Sequence, residues 1–252
     1  MKVAFVGKGG SGKSAIAGTF ARILAQTGAP VLAVDSDPLP GLALSLGLES
    51  DDAPLPEEAT EEHPEERPRY RLRSDLTAVE AIERYAATGP DGVRFLQFGK
   101  IRGRPNDQMW RSQLAFRQIM RDLPDDRWNV VGDLPGGTRQ AFTGWGAYAK
   151  TMLVVVEPTA HGILSGKRLA RLANGSSGPQ RVLAVASKVR EPGDAEEVAR
   201  RTGLEVIASV PYDLELADAE RRELAPIEAA PDSGAVKAVK SLVERLAEED
   251  NA

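Results

Sequence analysis

Residues 7–14 read Gly7-Lys8-Gly9-Gly10-Ser11-Gly12-Lys13-Ser14, which fits the pattern G-x-x-x-x-G-K-[ST] at every position. The motif follows a short β-branched run, Lys2–Val6, and precedes residues 13–26, whose apolar side chains have helical spacing. Glycines let the backbone turn tightly, so that its N–H groups face one anion. The helix adds the positive end of its dipole. The motif in this setting predicts the phosphate site of a nucleotide.

The residue types in this loop indicate what each position does. A lysine at position 13 reaches the β- and γ-phosphates of a bound nucleotide, and the hydroxyl of Ser14 is a ligand for Mg²⁺. We therefore predict that Lys13 is catalytic and that Ser14 holds the metal. The loop residues expected to bind the nucleotide are Gly9, Gly10, Ser11, Gly12, Lys13, Ser14 and Ala15.

Asp133 follows an apolar strand predicted over Trp128–Gly132 and precedes Leu134-Pro135-Gly136-Gly137. In proteins with such a phosphate loop, an aspartate at this position binds Mg²⁺, usually through water, and the loop after it senses the γ-phosphate. We predict that Asp133 is a metal residue and that Gly136 and Gly137 belong to the sensing loop. Taken alone, the same aspartate would also fit a helix cap or a turn.

Two further aspartates, Asp35 and Asp37, follow the strand predicted over Pro30–Val34. In parallel α/β sheets, ligands bind beyond the carboxyl ends of the strands, so both carboxylates are expected near the nucleotide. Two acids this close repel each other unless Mg²⁺ or a lysine lies between them. The alternative is a polar turn ahead of Pro38.

Strands that are apolar throughout alternate with helical stretches along most of the chain. This pattern predicts an α/β fold with a doubly wound, mostly parallel sheet and helices on both faces. No segment is a convincing boundary, so we predict one domain over residues 1–252. The predicted strands are Lys2–Val6, Pro30–Val34, Tyr70–Arg73, Phe95–Phe98, Trp128–Gly132, Met152–Val156, Arg181–Ala186 and Leu204–Val210. The predicted helices are Lys13–Gln26, Ala78–Ala87, Gln108–Arg121, Ile163–Ala173, Ala195–Thr202 and Ala235–Ala247.

The composition excludes several kinds of site. The 252 residues contain no cysteine, which rules out disulfides, thiolate metal sites and a cysteine nucleophile within this chain. A net charge of -5 argues against steering of the whole protein toward nucleic acid or anionic lipid. No apolar run approaches the ~20 residues of a membrane span, and the first residues lack the pattern of a signal peptide. We therefore expect a cytoplasmic protein.

Two segments differ from the rest in composition. Residues 49–67 are rich in proline and acid and have little to bury, which predicts an exposed, mobile excursion. Residues 94–121 carry Asp107 as their one acid against a cluster of basic residues. The simplest interpretation of both is solvated surface, and the alternative is contact with a partner, including nucleic acid at the basic cluster. The basic residues are Arg94, Lys100, Arg102, Arg104, Arg111, Arg117 and Arg121.

The stretch Lys8–Ser14 resembles the deviant Walker A box, K-G-G-x-G-K-[ST], of the SIMIBI class of dimeric P-loop ATPases. This class includes MinD, ParA, the nitrogenase iron protein and the CooC-type proteins that mature carbon monoxide dehydrogenase. Asp35-Ser36-Asp37-Pro38 is similar to the D-x-D-P of switch I in CooC-type proteins, and residues 133–137 resemble switch II. Val154–Thr159 looks like the CooC-type strand and turn. The resemblance covers most of the chain and is thinnest over residues 49–127.

The resemblance implies ATP and Mg²⁺ as cofactors, hydrolysis of ATP to ADP and phosphate, and a homodimer that forms with ATP. Lys8 matches the signature lysine that crosses the dimer interface to the partner's phosphates. Asp37 matches the acid that orients or deprotonates the attacking water, with Asp35 as its companion near the metal. Contacts to the base are implied for Ser187 and Lys188, and Pro211-Tyr212-Asp213 resembles the turn that closes over adenine.

The chain departs from the family pattern at two places. Ser187 stands where the family usually has a base-contacting asparagine. Relatives that bind nickel or a cluster do so through cysteines at the dimer interface, and the corresponding stretch here, Phe98–Arg104, has none. The metal chemistry of those relatives is therefore not expected, and Arg102 and Arg104 become candidates for contact with a partner.

Three functions are compatible with the sequence. The first is a CooC-like ATPase whose ATP-dependent dimer acts on a client protein, such as a metalloenzyme under maturation. The second is a positioning ATPase of the ParA or MinD kind. Against a membrane-binding version, the last predicted helix ends in Glu248-Glu249-Asp250, which anionic lipid would repel, so we expect it to pack on the core. The third is an ATP-dependent biosynthetic ligase on the same fold, which would not need Lys8.

Overall fold

The computed structural model describes residues 1–37, 41–49, 55–97, 107–136, 144–174 and 179–250. Its strands are β1 (Lys2–Gly7), β2 (Val31–Asp35), β3 (Thr60–Glu62), β4 (Tyr70–Leu72), β5 (Ala87–Thr88), β6 (Arg94–Gln97), β7 (Asn129–Asp133), β8 (Thr151–Val156), β9 (Arg181–Val189) and β10 (Val206–Pro211). Its helices are α1 (Lys13–Gln26), α2 (Leu42–Leu46), α3 (Ala78–Tyr85), α4 (Asp107–Arg121), α5 (Ala160–Asn174), α6 (Asp194–Thr202), α7 (Leu214–Arg221), α8 (Pro226–Ala229) and α9 (Gly234–Asp250).

The main sheet has the strand order β10-β9-β8-β1-β7-β2-β6-β5 over the described residues. Every pair in it is parallel except the short β5, which runs antiparallel to β6 at one edge. The predicted α/β fold with a mostly parallel sheet is therefore confirmed. Because β1 lies at the centre, between β7 and β8, the carboxyl ends of these three strands meet around the loop that follows β1.

Each face of the sheet is covered by helices, which is why its strands are apolar on both sides. One core contains Phe20 of α1, Leu42 of α2 and Leu242 of α9. The other core contains Ile82 of α3, Phe116 of α4, and apolar residues of α5 and α6. Phe20 is fully buried and packs edge to face on Phe5 of β1, with ring centroids 5.5 Å apart. Burial of one such side chain contributes about 1.5–3 kcal/mol and fixes α1 on the sheet.

The C-terminal helix α9 packs on the core, as the sequence predicted. Val236, Val239, Leu242, Val243 and Leu246 are all buried in its apolar face. At the acidic end, Asp250 lies 3.0 Å from the N-terminal amine of Met1 and Glu249 lies 2.7 Å from Arg181. Across the described ranges, no helix has both the length and the apolar character to cross a membrane.

The expectation of an exposed excursion over residues 49–67 was wrong for part of that segment. Leu55 and Ala59 are buried, and Thr60–Glu62 forms β3, which pairs antiparallel with β4. This small hairpin packs on α4, where Arg111 lies over the ring of Tyr70 and 2.9 Å from Glu62. Glu62 therefore has a basic partner on α4, a pairing between distant segments that composition does not reveal.

Candidate phosphate-binding site

The loop between β1 and α1 is built on two glycines with left-handed backbone. Gly10 has φ +79° and Gly12 has φ +82°, values that side chains with a Cβ rarely adopt. A hydrogen bond from the Ser11 N–H to the Lys8 carbonyl, 3.1 Å long, closes the turn. Gly7 is needed for space, since a Cβ there would lie 2.6 Å from the carbonyl oxygen of Val155. The sequence thus forces a tight loop against β8.

The N–H groups at the start of α1 are left for a ligand. Gly12 is the N-cap residue and provides no side-chain cap. Within the described residues, no hydrogen bond from the N–H of Gly10, Gly12, Lys13 or Ser14 to a protein acceptor is present. Unsatisfied N–H groups at a helix N-terminus form a site that suits an anion, and the helix dipole reinforces it. The predicted phosphate loop therefore has the geometry that phosphate binding requires.

Asp133 contacts both polar side chains at the start of α1. Its carboxylate accepts hydrogen bonds from the ammonium of Lys13 and from the hydroxyl of Ser14, the latter at 2.5 Å. Asp133 is fully buried and Lys13 is 6% exposed. The Lys13 ammonium also lies 3.8 Å from the carboxylate of Asp37. The structure thus brings together Lys13, Ser14, Asp37 and Asp133, which come from three separate stretches of sequence.

Burial raises the pKa of Asp133 above its ordinary value, although Lys13 and Ser14 favour the charged form. We assign the carboxylate as ionised, because it is hydrogen-bonded to a lysine that is itself buried and needs a counter-ion. Ser14 Oγ and the Asp133 carboxylate are hard oxygen donors of the kind that Mg²⁺ prefers. Mg²⁺ is typically held by one or two carboxylates together with substrate phosphates, so this donor set fits it.

Asp35 lies beside Asp133 in the sheet register, but its carboxylate serves the loop after β2. One oxygen accepts from the N–H of Asp37 at 2.9 Å, and the other accepts from the N–H groups of Gly41 and Leu42 at 3.1 and 3.0 Å. Burial, together with the charge of Asp133, raises the pKa of Asp35 to about 7. In this structure Asp35 anchors the loop and caps α2, so its predicted contact with the metal stays a prediction.

Two residues of this loop were missed in the sequence. Ser36 donates both its N–H and its hydroxyl to the carbonyl oxygen of Asp133, and it is buried. Gly41 faces Ser14, since a Cβ at Gly41 would lie 3.3 Å from the Ser14 hydroxyl. The position of Ser36 between two predicted site aspartates was a usable signal. Nothing in the sequence marked Gly41.

Gly136 brings the loop after β7 into contact with the phosphate loop. A Cβ at Gly136 would lie 2.5 Å from the carbonyl oxygen of Gly7 and 3.1 Å from the N–H nitrogen of Gly9. Only a residue without a side chain allows this approach. The predicted sensing loop therefore touches the phosphate loop at Gly136, whereas its second glycine, Gly137, lies outside the described residues.

The end of β9 supports the phosphate loop from one side. The Ser187 hydroxyl donates to the Ser11 carbonyl at 2.5 Å, and the Lys188 ammonium donates to the Gly10 carbonyl at 2.7 Å. Ser187 is 1% exposed. Both side chains predicted to contact a base thus bond the loop backbone in this structure. Their contact with a base stays a prediction.

The turn after β10 lies beside this region and is held by side-chain contacts. Asp213 caps α7 through the N–H groups of Glu215 and Leu216, and its second oxygen accepts from Ala235 at the start of α9. The ring of Tyr212, 37% exposed, is covered on one face by the guanidinium of Arg190 at 3.6 Å. Pro211 ends β10. The predicted closure of this turn over adenine is not tested by these contacts.

Lys8 lies at the tip of the phosphate loop and is exposed. Within the described ranges its side chain has no hydrogen bond or ion pair, so its ammonium is open to solvent. Arg102 and Arg104, the candidates for partner contact, lie outside the described residues, as does Pro38.

Comparisons with known proteins agree with this geometry. Residues 3–227 match the family described as the CobQ/CobB/MinD/ParA nucleotide binding domain. The chain is 29% identical over 228 residues to an uncharacterized ATP-binding protein of Methanocaldococcus jannaschii, and the alignment covers 87% of this chain and 88% of that protein. It is 24% identical over 249 residues to the carbon monoxide dehydrogenase accessory protein CooC of Rhodospirillum rubrum, covering 92% and 91%. Among solved structures, MinD of Pyrococcus horikoshii, complexed with Mg-ADP, is similar with a TM-score of 0.73 at 16% identity, covering 97% and 95%.

Proposed function

Because the chain belongs to the CobQ/CobB/MinD/ParA family of nucleotide-binding domains, we propose that it is a Mg-dependent ATPase that acts as a dimeric switch on a client protein. The reaction is hydrolysis of ATP to ADP and phosphate. ATP brings two copies together, and hydrolysis releases them. The client is a protein recognised by the ATP-bound dimer, and a metalloenzyme under maturation is one class of client suggested by the likeness to CooC.

The observation that carries the proposal is the meeting of Lys13, Ser14 and Asp133 at a loop of unpaired N–H groups. The N–H groups of the loop bind and orient the phosphates, and Lys13 offsets charge on the β- and γ-phosphates. Ser14 and Asp133 would hold Mg²⁺ beside the phosphates. When bound, Mg²⁺ neutralises charge that develops on the phosphate oxygens.

Asp37 is the residue proposed to orient the attacking water. Its side chain is 23% exposed and lies 3.8 Å from the Lys13 ammonium, so it reaches the phosphate end of the site without being sealed off from water. The Asp35 carboxylate accepts a hydrogen bond from the N–H of Asp37 and so fixes the backbone position from which the Asp37 side chain extends. Asp35 is therefore a positioning residue in the proposed mechanism, in addition to any contact with the metal.

Lys8 supports the dimeric form of the proposal. The ammonium is exposed at the loop tip, where a second copy of the chain would meet it. A second lysine at the phosphates would offset charge in the transferring phosphoryl group, as an arginine finger does. A ligase acting on a small molecule in a single chain has no use for a lysine in this position.

Phosphate release from ATP tests the catalytic part of the proposal. We expect Asp37→Asn to lower the rate about 100-fold, since a positioned general base contributes roughly 10²–10⁴-fold, while ATP binding stays within about threefold. Asp126→Asn is the matched control, because Asp126 is exposed and precedes the amino end of β7, whereas the site lies at the carboxyl ends of the strands. An Asp37→Asn variant that hydrolyses ATP at the wild-type rate would refute the assignment.

A further inference from the structure

Helices α5 and α6 border two adjoining cavities on the face of the sheet opposite α1. The first, of about 330 Å³, is lined by Ile163, Leu164 and Lys167 of α5 and by Arg200 and Arg201 of α6. The second, of about 460 Å³, continues past Lys167 to Arg171, the start of β9 and the turn that ends at Glu205. Lys167 lines both cavities, so they are neighbours along α5, and together they are called here the α5–α6 groove.

The groove has an apolar side chain at its surface. Leu164 is 46% exposed, while its neighbour Ile163 is buried in the core. The helix cannot turn Leu164 inward, because Gly166 already packs tightly on the sheet and on α6. A Cβ at Gly166 would lie 2.8 Å from Val156 and 3.1 Å from Thr202. Leu164 therefore offers apolar area that a partner could cover.

The lining of the groove is positively charged in a chain whose net charge is -5. Lys167 and Arg171 lie one helical turn apart on α5, and within the described residues neither has an ion pair with a carboxylate. Arg201 lies 3.5 Å from Glu197, which also accepts from Arg200, so the charge of this arginine pair is only partly offset. Glu205 is the one acid among the residues that line the two cavities.

We propose that the α5–α6 groove binds an acidic segment of a partner protein. An apolar side chain of that segment covers Leu164, and its carboxylates lie against Lys167, Arg171 and Arg200. Charge complementarity favours an acidic occupant. The exposed Leu164 in the first cavity favours a protein over a nucleic acid, whose backbone would bring phosphates to an apolar surface. The inference goes beyond the proposed ATPase function and does not depend on it.

Binding of a labelled synthetic peptide of about twelve residues, built from glutamate and leucine, tests the proposal by fluorescence anisotropy. We expect the double change Lys167→Glu/Arg200→Glu to weaken binding at least tenfold, and Leu164→Ser to weaken it about fivefold. The matched control is Arg221→Glu/Arg222→Glu on α7, which makes the same change in net charge at two exposed arginines. We expect this control to change binding less than about twofold at physiological salt.

Three results would overturn the proposal. The peptide could fail to bind at about 1 mM, or the two charge-reversed variants could weaken it equally, which would show attraction to net charge alone. Alternatively, labelled single-stranded DNA could bind more tightly than the peptide. If Lys167→Glu/Arg200→Glu then weakened DNA binding and Leu164→Ser did not, the groove would be a nucleic-acid surface. Each variant is also checked for binding of Mg-ADP, so that failure of the groove is distinguished from failure of the nucleotide site.

Discussion

Ser36 and Asp133 are joined by two hydrogen bonds to a single carbonyl oxygen. The Ser36 N–H lies 3.0 Å and the Ser36 hydroxyl 3.1 Å from the Asp133 carbonyl oxygen. Ser36 begins the loop that carries Asp37, and Asp133 ends the strand that leads to Gly136. The two loops proposed to respond to the γ-phosphate are therefore connected at their origins.

Replacing Ser36 by alanine removes the hydroxyl bond and leaves the backbone bond in place. We expect Ser36→Ala to lower the free energy of unfolding by about 1 kcal/mol, the net value of one buried hydrogen bond. We expect hydrolysis to fall several-fold, because the Asp37 carboxylate is held less firmly in place. ATP affinity should change less than about twofold, because the phosphate loop is unaffected. Ser74→Ala, at an exposed hydroxyl 3.2 Å from Glu61, is the control and should leave hydrolysis unchanged.

The buried pair of Lys13 and Asp133 predicts an asymmetric double-mutant cycle. Lys13→Met leaves the Asp133 carboxylate buried without its counter-ion, which costs roughly 3–5 kcal/mol of unfolding free energy. Adding Asp133→Asn removes the orphaned charge and should restore most of that loss, although ATP binding stays abolished. Urea denaturation of the two single variants and the double variant measures the cycle. Purely additive losses would mean that the pair is not coupled as the structure shows.

Gly136 predicts a variant that folds but does not bind nucleotide. In Gly136→Ala the methyl group meets the backbone of Gly7 and Gly9, so we expect ATP affinity to fall at least tenfold as the phosphate loop shifts. Gly166→Ala is the control, because its added methyl group would also be crowded, here against Val156 of β8 where α5 packs on the sheet. It should lose stability but keep ATP affinity. Equal affinity in the wild type and Gly136→Ala would contradict the close approach of the two loops.

The buried carboxyl of Asp35 predicts a pH dependence of stability. Burial raises its pKa from an ordinary value of 3.8 to about 7, so the folded protein keeps this proton to higher pH than the unfolded chain does. Its contribution to the free energy of unfolding is therefore fully present below about pH 4 and is lost as the pH rises toward about 7. A shift of this size corresponds to roughly 4 kcal/mol.

Thermal or urea unfolding between pH 4 and 8 measures this contribution as the difference in slope between the wild type and Asp35→Asn. The absolute stability of the variant is not the readout, because asparagine loses an acceptor for the backbone of the loop. Asp75→Asn is the control, since Arg73 lowers the pKa of this exposed carboxyl, so that it is ionised in both states above about pH 4 and the variant's curve should run parallel to that of the wild type. Parallel curves for wild type and Asp35→Asn would show that Asp35 titrates normally in the folded state.

Much of the fold and of the phosphate site could be predicted from sequence, because both depend on local patterns. The bounds of α1 were predicted to the residue, since glycines flank a clear apolar stripe. The positions of Lys13, Ser14, Asp37 and Asp133 follow from a motif and from strand ends that meet at one edge of a parallel sheet. Local spacing is enough for such features.

Features that depend on contacts between distant segments could not be predicted. The β3–β4 hairpin is held by Arg111 of α4, 49 residues from Glu62. Helix α2 has only five residues, too few for a periodic apolar pattern to predict it. It begins where the Asp35 carboxylate accepts a hydrogen bond from the N–H of Leu42. The bonds of Ser187 and Lys188 to the phosphate loop, across 176 and 178 residues of chain, were not predicted, and their contact with a base stays a prediction. Such pairings are set by the tertiary fold.

The dimeric switch is tested most directly by light scattering of the Asp37→Ala protein with Mg-ATP and, separately, with Mg-ADP. We expect loss of Asp37 to block hydrolysis and hold the ATP state, so the molar mass should double with Mg-ATP only. The further change Lys8→Ala should abolish the doubling while ATP still binds. A mass that stays the same in the presence of bound ATP, or that doubles with either nucleotide, would contradict the account and favour an enzyme whose site is complete within one chain.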